Sequence, residues 1–408
     1  MVWHNAGGLP ATAEPTPFTV QVPQQRLDDL AERLDRARFP ADLGNGDWGY
    51  GVNRDYLVDL MQYWRNDFDW RRQENEVNAY ANYCVELEGV PVHYLFAPGK
   101  GPSPQPILLV HGWPWTFWDY RKLVDRLSDP AAYGGDPAHA FDVIVPSLPG
   151  FGFSTPLERT RMAIWDMADL LARLMVDVLG YDPFVVHGGD YGAMVAAQLG
   201  HKHAHHVRGI HIAPRPMRLD MWNIDRPWVD LVAGSPRPED PADLDSLLAW
   251  ERRKVGHAVV NILSPQTLAY ALHDSPVGLA AWLLERRHSW SDCHGDVESV
   301  FSRDELLTNF TIYWLTDSFV TSARLYQDNW RRGWQPAHDR TPVVQAPTAV
   351  TLFKADMPAN PDTTWFGDYY NLQRLNESVE GGHFAAAEKP DRIARELTEF
   401  FWRERPPG

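Results

Sequence analysis

At 408 residues, 44% of them hydrophobic and 23% charged, the chain has the composition of a globular protein with a large core, not of a disordered or fibrous polymer. A formal net charge of −16 argues against a nucleic-acid surface, because phosphate binding needs clustered Lys and Arg. Two cysteines, Cys84 and Cys293, stand far apart and suggest neither a disulfide framework nor a zinc site, and residues 1–20 carry neither a signal-like apolar run nor a membrane-length stretch.

The expectation from these features is a soluble, cytoplasmic protein with no targeting segment, no membrane anchor, no metal and no cofactor. Residues 20–38 repeat Leu27, Leu30 and Leu34 at helical spacing, and residues 55–64 do the same with Leu57, Leu60 and Tyr63, which predicts two helices. Trp48-Gly49-Tyr50-Gly51 lies between them and Phe68-Asp69-Trp70-Arg71 follows, so residues 1–78 read as an aromatic-rich segment packed on a main domain. Strands are predicted over 80–87, 92–96, 107–110 and 141–145. A helix over 164–178 then leads to a strand over 184–186, a helix over 193–199 and a strand over 207–212. Such alternation predicts an α/β fold with a mostly parallel sheet covered on both faces, its first part spanning 79–213.

From 214 to 340 the pattern changes to helices punctuated by proline and rich in tryptophan, among them Trp222, Trp228, Trp282, Trp290 and Trp314. This interval reads as a helical lid inserted above the sheet, and its tryptophans suggest an apolar or aromatic small-molecule substrate, although most could be core. Residues 341–408 resume the core with a strand over 348–353, a strand near 377–379 and a helix over 384–401.

Three motifs carry chemistry. Gly188-Gly189-Asp190-Tyr191-Gly192 has the small-x-Asp-x-small form of a nucleophile elbow at a strand-to-helix junction, where glycines permit a tight turn that presents Asp190 above the sheet. A helix N-cap aspartate is the plainer reading of that motif alone. His111-Gly112-Trp113-Pro114 follows a strand at the place where this fold supplies an oxyanion-hole amide, so the N–H groups of Trp113 and Tyr191 are expected to converge on one oxygen. His383, in Gly381-Gly382-His383-Phe384, falls where the general base should stand, and Asp356 after the strand over 348–353 completes the order nucleophile, acid, histidine. Asp362 competes with Asp356 for the acid's place from further along the loop.

A carboxylate nucleophile suits a strained carbon electrophile such as an epoxide. Serine would form an ether with no carbonyl for water to attack, whereas aspartate forms an ester that His383-activated water hydrolyses, with Asp356 orienting the imidazole. The opening ring also needs a donor at its oxygen, and Tyr326 in the insertion is the expected one.

With these residues in view, the chain resembles the microsomal-type epoxide hydrolases and their soluble bacterial relatives. The likeness runs nearly the whole length. It takes in the two N-terminal aromatic motifs, His111-Gly112-Trp113-Pro114, Gly150-Phe151-Gly152-Phe153-Ser154, Gly188-Gly189-Asp190, Asp274-Ser275-Pro276-Val277-Gly278, the Tyr326 segment and Gly381-Gly382-His383-Phe384. The resemblance implies an α/β-hydrolase fold with a lid and a wrapping N-terminal segment. It implies Asp190 as nucleophile, Asp356 and His383 as the water-activating pair, and Tyr326 as one of two lid tyrosines. Two positions depart from the pattern: the second lid tyrosine falls on His257, making it the candidate second lid donor, and Tyr191 stands where many relatives carry tryptophan.

Two other readings remain. Haloalkane dehalogenases share the aspartate nucleophile but generally use tryptophan as a halide donor after it, which Tyr191 disfavours. A repurposed scaffold acting as a cyclase or bond-forming enzyme is the different-class alternative that His257 raises. His201-Lys202-His203-Ala204-His205-His206 invites a metal reading, against which a solvated helix end is preferred. The sequence leaves the substrate and the oligomeric state, monomer or homo-oligomer, open.

Overall fold

A computed structural model describes residues 14–226, 240–358 and 361–403. Nine strands form one sheet: β1 (Thr16–Phe18), β2 (Ala81–Leu87), β3 (Val90–Ala97), β4 (Gln105–Val110), β5 (Phe141–Pro146), β6 (Phe184–Gly188), β7 (Val207–Ile212), β8 (Val344–Phe353) and β9 (Tyr370–Ser378). Their spatial order is β1-β2-β3-β5-β4-β6-β7-β8-β9. The pairs from β1 to β3, and β3 with β5, are antiparallel, and every pair from β5 to β9 is parallel. Ile107 to Val110 and Phe184 to Val186 are wholly buried, as continuous apolar strands covered on both faces must be. The crossover between β4 and β6 leaves their C-terminal ends side by side, and chemistry gathers at such ends in open α/β sheets.

The expected helices lie at Gln24–Asp35 and Arg54–Asn66, and a further one, Trp70–Asn78, follows. That third helix is too polar to show a stripe, and it starts where Asp69 accepts the amides of Arg71 and Arg72. These helices reach the segment inserted between β7 and β8. Trp64 Nε1 donates to Thr311 Oγ1 (3.0 Å), Tyr63 donates to Asp304 (2.9 Å), and Arg33 pairs with Asp274 (2.7 Å).

Between β7 and β8 run helices Pro241–Lys254, Gly256–Leu263, Pro265–Asp274, Pro276–Trp290, Arg303–Leu315 and Phe319–Arg332. Proline opens three of them, at the position where its missing N–H costs nothing. Among the described residues no helix is long and apolar enough to cross a membrane.

Two expected elements need correction. The strand near 377–379 is β9, which begins at Tyr370 and ends at Ser378; as an edge strand it is half exposed, so its polar residues hide it. The single helix over 384–401 is two, Ala385–Glu388 and Pro390–Arg403, because Pro390 has no N–H and forces Lys389 out of helical conformation.

Candidate active site

The turn between β6 and the helix Tyr191–Lys202 is built by what glycine leaves out. A Cβ on Gly192 would lie 1.8 Å from the Val110 carbonyl oxygen, and one on Gly188 would lie 2.1 Å from that of Gly192. With both bare, Asp190 sits at φ 52° and ψ −126°, a left-handed conformation that a non-glycine residue holds only when its surroundings impose it. The elbow reading fits this geometry; Asp190 makes no side-chain cap bond to its own helix.

Instead, Asp190 Oδ1 accepts the Trp113 amide at 2.8 Å. The Tyr191 amide is the first of the helix and has no intrahelical acceptor. His111 fixes the facing turn, with its ring Nδ1 2.9 Å from the Gly112 carbonyl and its Nε2 accepting the Leu148 amide at 3.0 Å. The Trp113–Pro114 bond is cis. Arg287 reaches down from the lid to bond Asp119 (2.6 and 3.0 Å) and the Pro114 carbonyl (3.3 Å).

His383 stands between the two aspartates. Its Nδ1 is 3.1 Å from Asp356 Oδ1, and its Nε2 is 3.3 Å from Asp190 Oδ2 without hydrogen-bond alignment. Burial lowers the imidazole's basicity, but Asp356 and Asp190 more than offset this, so its pKa lies above 6.5. Glu388 fixes the histidine loop: its buried carboxylate accepts the amides of Asp292, Gly382 and Phe384, all within 2.9 Å. Asp362 is exposed, bonds Thr364 and lies apart from the histidine.

Sequence reasoning missed the cations at Asp356. Lys254 Nζ is 2.8 Å from Oδ1, and Arg215 Nε is 3.3 Å from Oδ2. Burial alone would raise the Asp356 pKa, yet Lys254, His383 and Arg215 together hold it well below the usual carboxylate range. Trp250, also missed, donates its indole N–H to the Asp356 backbone oxygen at 2.9 Å. No pattern marked these residues: Lys254 ends a run, Glu251-Arg252-Arg253-Lys254, that looks like any solvated helix end.

Asp190, Tyr191, His257, Tyr326, Asp356 and His383 all line one cavity of about 130 Å³, otherwise walled largely by Met194, Met217, Met221, Trp222, Trp250 and Trp290. The Tyr326 hydroxyl lies 2.9 Å from His257 Nε2, and burial raises the phenol's pKa well above 10. His257 stacks on Trp113 at 5.0 Å; burial first, then nearby Arg286 and His383, lowers its pKa well below 6.5, so the ring is neutral. Of the other insertion tryptophans, Trp282 and Trp314 pack away from the cavity, and Trp228 lies outside the described residues.

The histidine run is not a solvated helix end throughout. His201 is buried, with Nδ1 2.7 Å from the Val343 carbonyl and Nε2 accepting the Ala337 amide, while His203 and His206 pair with Asp169 and Asp182. Among the described residues no group of three or more His, Cys, Asp or Glu side chains is placed to hold a metal ion.

A profile for the epoxide hydrolase N terminus matches residues 15–120, and one for the alpha/beta hydrolase fold matches residues 105–390. A putative epoxide hydrolase of Stigmatella aurantiaca (strain DW4/3-1) is 39% identical, over 95% of this chain and 84% of that protein. Epoxide hydrolase 1 of Oryctolagus cuniculus is 32% identical, over 98% and 91%. Among solved structures, Aspergillus niger epoxide hydrolase matches with a TM-score of 0.79 at 25% identity, covering 96% of this chain and 97% of that one. The juvenile hormone epoxide hydrolase of the silkworm Bombyx mori matches at 0.78 and 25%, covering 95% and 93%.

Proposed function

Because the chain belongs to the epoxide hydrolases of the α/β-hydrolase fold, we propose that it opens an apolar or aromatic epoxide to a vicinal diol through an ester on Asp190. One observation carries the reading: His383 lies within 3.3 Å of both the Asp190 and Asp356 carboxylates, while the Trp113 amide holds Asp190 at 2.8 Å.

In the first step a carboxylate oxygen of Asp190 attacks a ring carbon, the carbon–oxygen bond breaks, and the departing oxygen takes the Tyr326 proton. Neutral His257 shares one hydrogen bond with the Tyr326 hydroxyl through Nε2; in the tautomer with its proton there, it donates to the Tyr326 oxygen and leaves the phenol's own proton free for the substrate. In the second step His383 Nε2 takes a proton from water as the hydroxide adds to the Asp190 carbonyl carbon. The oxyanion that forms is held by the Trp113 and Tyr191 amides. Collapse expels the diol oxygen, which takes the proton from His383, and the carboxylic acid left on Asp190 returns a proton to Tyr326 through solvent. The sum is one water added across the ring.

Single turnover in heavy-oxygen water tests the scheme. The diol from the first turnover should carry unlabelled oxygen, with label appearing in the Asp190 carboxylate of the digested protein. Label entering the diol directly, with none in Asp190, would refute the ester.

A further inference from the structure

We propose that the Tyr191 hydroxyl is a second donor to the oxygen of the opening ring, working from the core side beside Tyr326. The inference rests on the epoxide-opening reading above. It begins from His257, which lines the cavity beside Tyr326. In this chain the imidazole is committed elsewhere: Nε2 faces the Tyr326 hydroxyl at 2.9 Å, and the ring lies flat against Trp113, 6° from parallel. It serves Tyr326 and is not a second arm toward the substrate.

Tyr191 supplies what His257 does not. It follows the nucleophile directly, is 4% exposed and lines the same cavity. Its ring meets that of Tyr326 at 5.0 Å and 66°, so the two phenols, one from the helix Tyr191–Lys202 and one from the helix Phe319–Arg332, border the same region of the cavity. Its hydroxyl is buried within reach of the Tyr326 hydroxyl and the Asn329 side chain, but makes no hydrogen bond of ordinary geometry to either. Buried phenols ordinarily find a partner, since leaving one unmatched costs on the order of 1–3 kcal/mol. A loosely held phenol lining the cavity beside Tyr326 can complete its hydrogen bonding on a substrate oxygen placed between the two hydroxyls. Burial, with Tyr326 and Asp190 nearby, raises its pKa well above 10, so the proton is present at neutral pH.

The division of labour balances. Tyr326 transfers its proton to the departing oxygen, while Tyr191 donates a hydrogen bond and keeps its own.

Tyr191→Phe isolates the hydroxyl, because the ring and the backbone N–H of the oxyanion hole both remain. With an aryl epoxide in single-turnover stopped flow, read by tryptophan fluorescence and by the mass of the acid-quenched protein, the variant should form ester more slowly by on the order of 10²-fold. Ester hydrolysis should stay within a factor of about two. The double variant Tyr191→Phe with Tyr326→Phe should be slower than either alone. An unchanged rate of ester formation, or an equal fall in both steps, overturns the assignment. Absence of any ester in the unaltered protein would instead overturn the reading on which it rests, and Tyr191's role with it.

Discussion

Replacing Gly112 by alanine puts one methyl group against the nucleophile. The new Cβ would lie 2.4 Å from Asp190 Cβ and Oδ1 and 2.8 Å from Cγ, where ordinary contact begins at 3.4 Å, so about 1 Å must be found. The elbow cannot supply it, because Gly192 is already wedged against the Val110 carbonyl and Gly189 against that of Ala213. Gly112 itself is not among the positive-φ glycines, so alanine brings no backbone strain of its own. The carboxylate must therefore swing away from the Trp113 amide and from His383. A misplacement of about 1 Å at a reacting group costs on the order of 10²-fold in rate, and the overpacking costs about 1–3 kcal/mol of stability. Stopped-flow ester formation and urea unfolding measure the two effects separately. Gly46→Ala is the control: it has open space around its Cβ and should change neither. A folded Gly112→Ala protein that retains kcat/KM within about threefold would refute the claim that this glycine exists to admit Asp190.

His383→Gln should let the Asp190 ester accumulate, detectable as a stable mass adduct, since losing a general base costs about 10²–10⁴-fold in the hydrolytic step; a variant with no adduct under excess epoxide contradicts the base assignment. Ester hydrolysis needs neutral His383 and should therefore rise with pH and level off above its pKa. In the free protein that pKa is raised above 6.5, burial opposing and both carboxylates favouring the charged ring. Esterification removes Asp190's charge, so the inflection for hydrolysis should fall at lower pH than the titration of the free protein, and the opposite order would count against the geometry. Arg287→Met should cost about 3–5 kcal/mol in urea unfolding, because it leaves Asp119, whose side chain is 2% exposed, with only the Thr116 amide as partner among the described residues. A loss below about 1 kcal/mol would show that the pair is not what docks the lid on the Trp113 turn.

The parts of the site legible in the sequence are those whose local pattern is forced by geometry. The elbow glycines must be bare to let Asp190 reach its conformation, and the order of Asp190, Asp356 and His383 follows the order of strands that carry them. Buried parallel strands were equally legible, since only continuous apolar residues can occupy them. What stayed hidden depends on the third dimension. Nothing in Glu251-Arg252-Arg253-Lys254 says that only the last lysine turns inward, nor does Glu388 announce that three amides converge on it. Only the end of β9 was legible, because an edge strand with one exposed face needs no apolar run.

The hidden residues share one property: they join the helices inserted between β7 and β8 to Asp356 and the His383 loop. Asp356 belongs to the core, at the end of β8, yet one of the two cations beside it, Lys254, and the indole on its backbone oxygen come from the lid helix Pro241–Lys254. The Trp290 carbonyl, at the end of another lid helix, accepts both the His383 amide at 2.9 Å and Lys254 Nζ at 3.2 Å. In the proposed mechanism, a carboxylate carrying a full uncompensated charge would bind the imidazolium so firmly that His383 would be a poor proton donor to the departing diol oxygen. Lys254 and Arg215 weaken that hold electrostatically while leaving the 3.1 Å bond that orients the ring. On the proposed mechanism the inserted helices therefore do more than cover the cavity: through Lys254 they bear on the charge that His383 meets at Asp356.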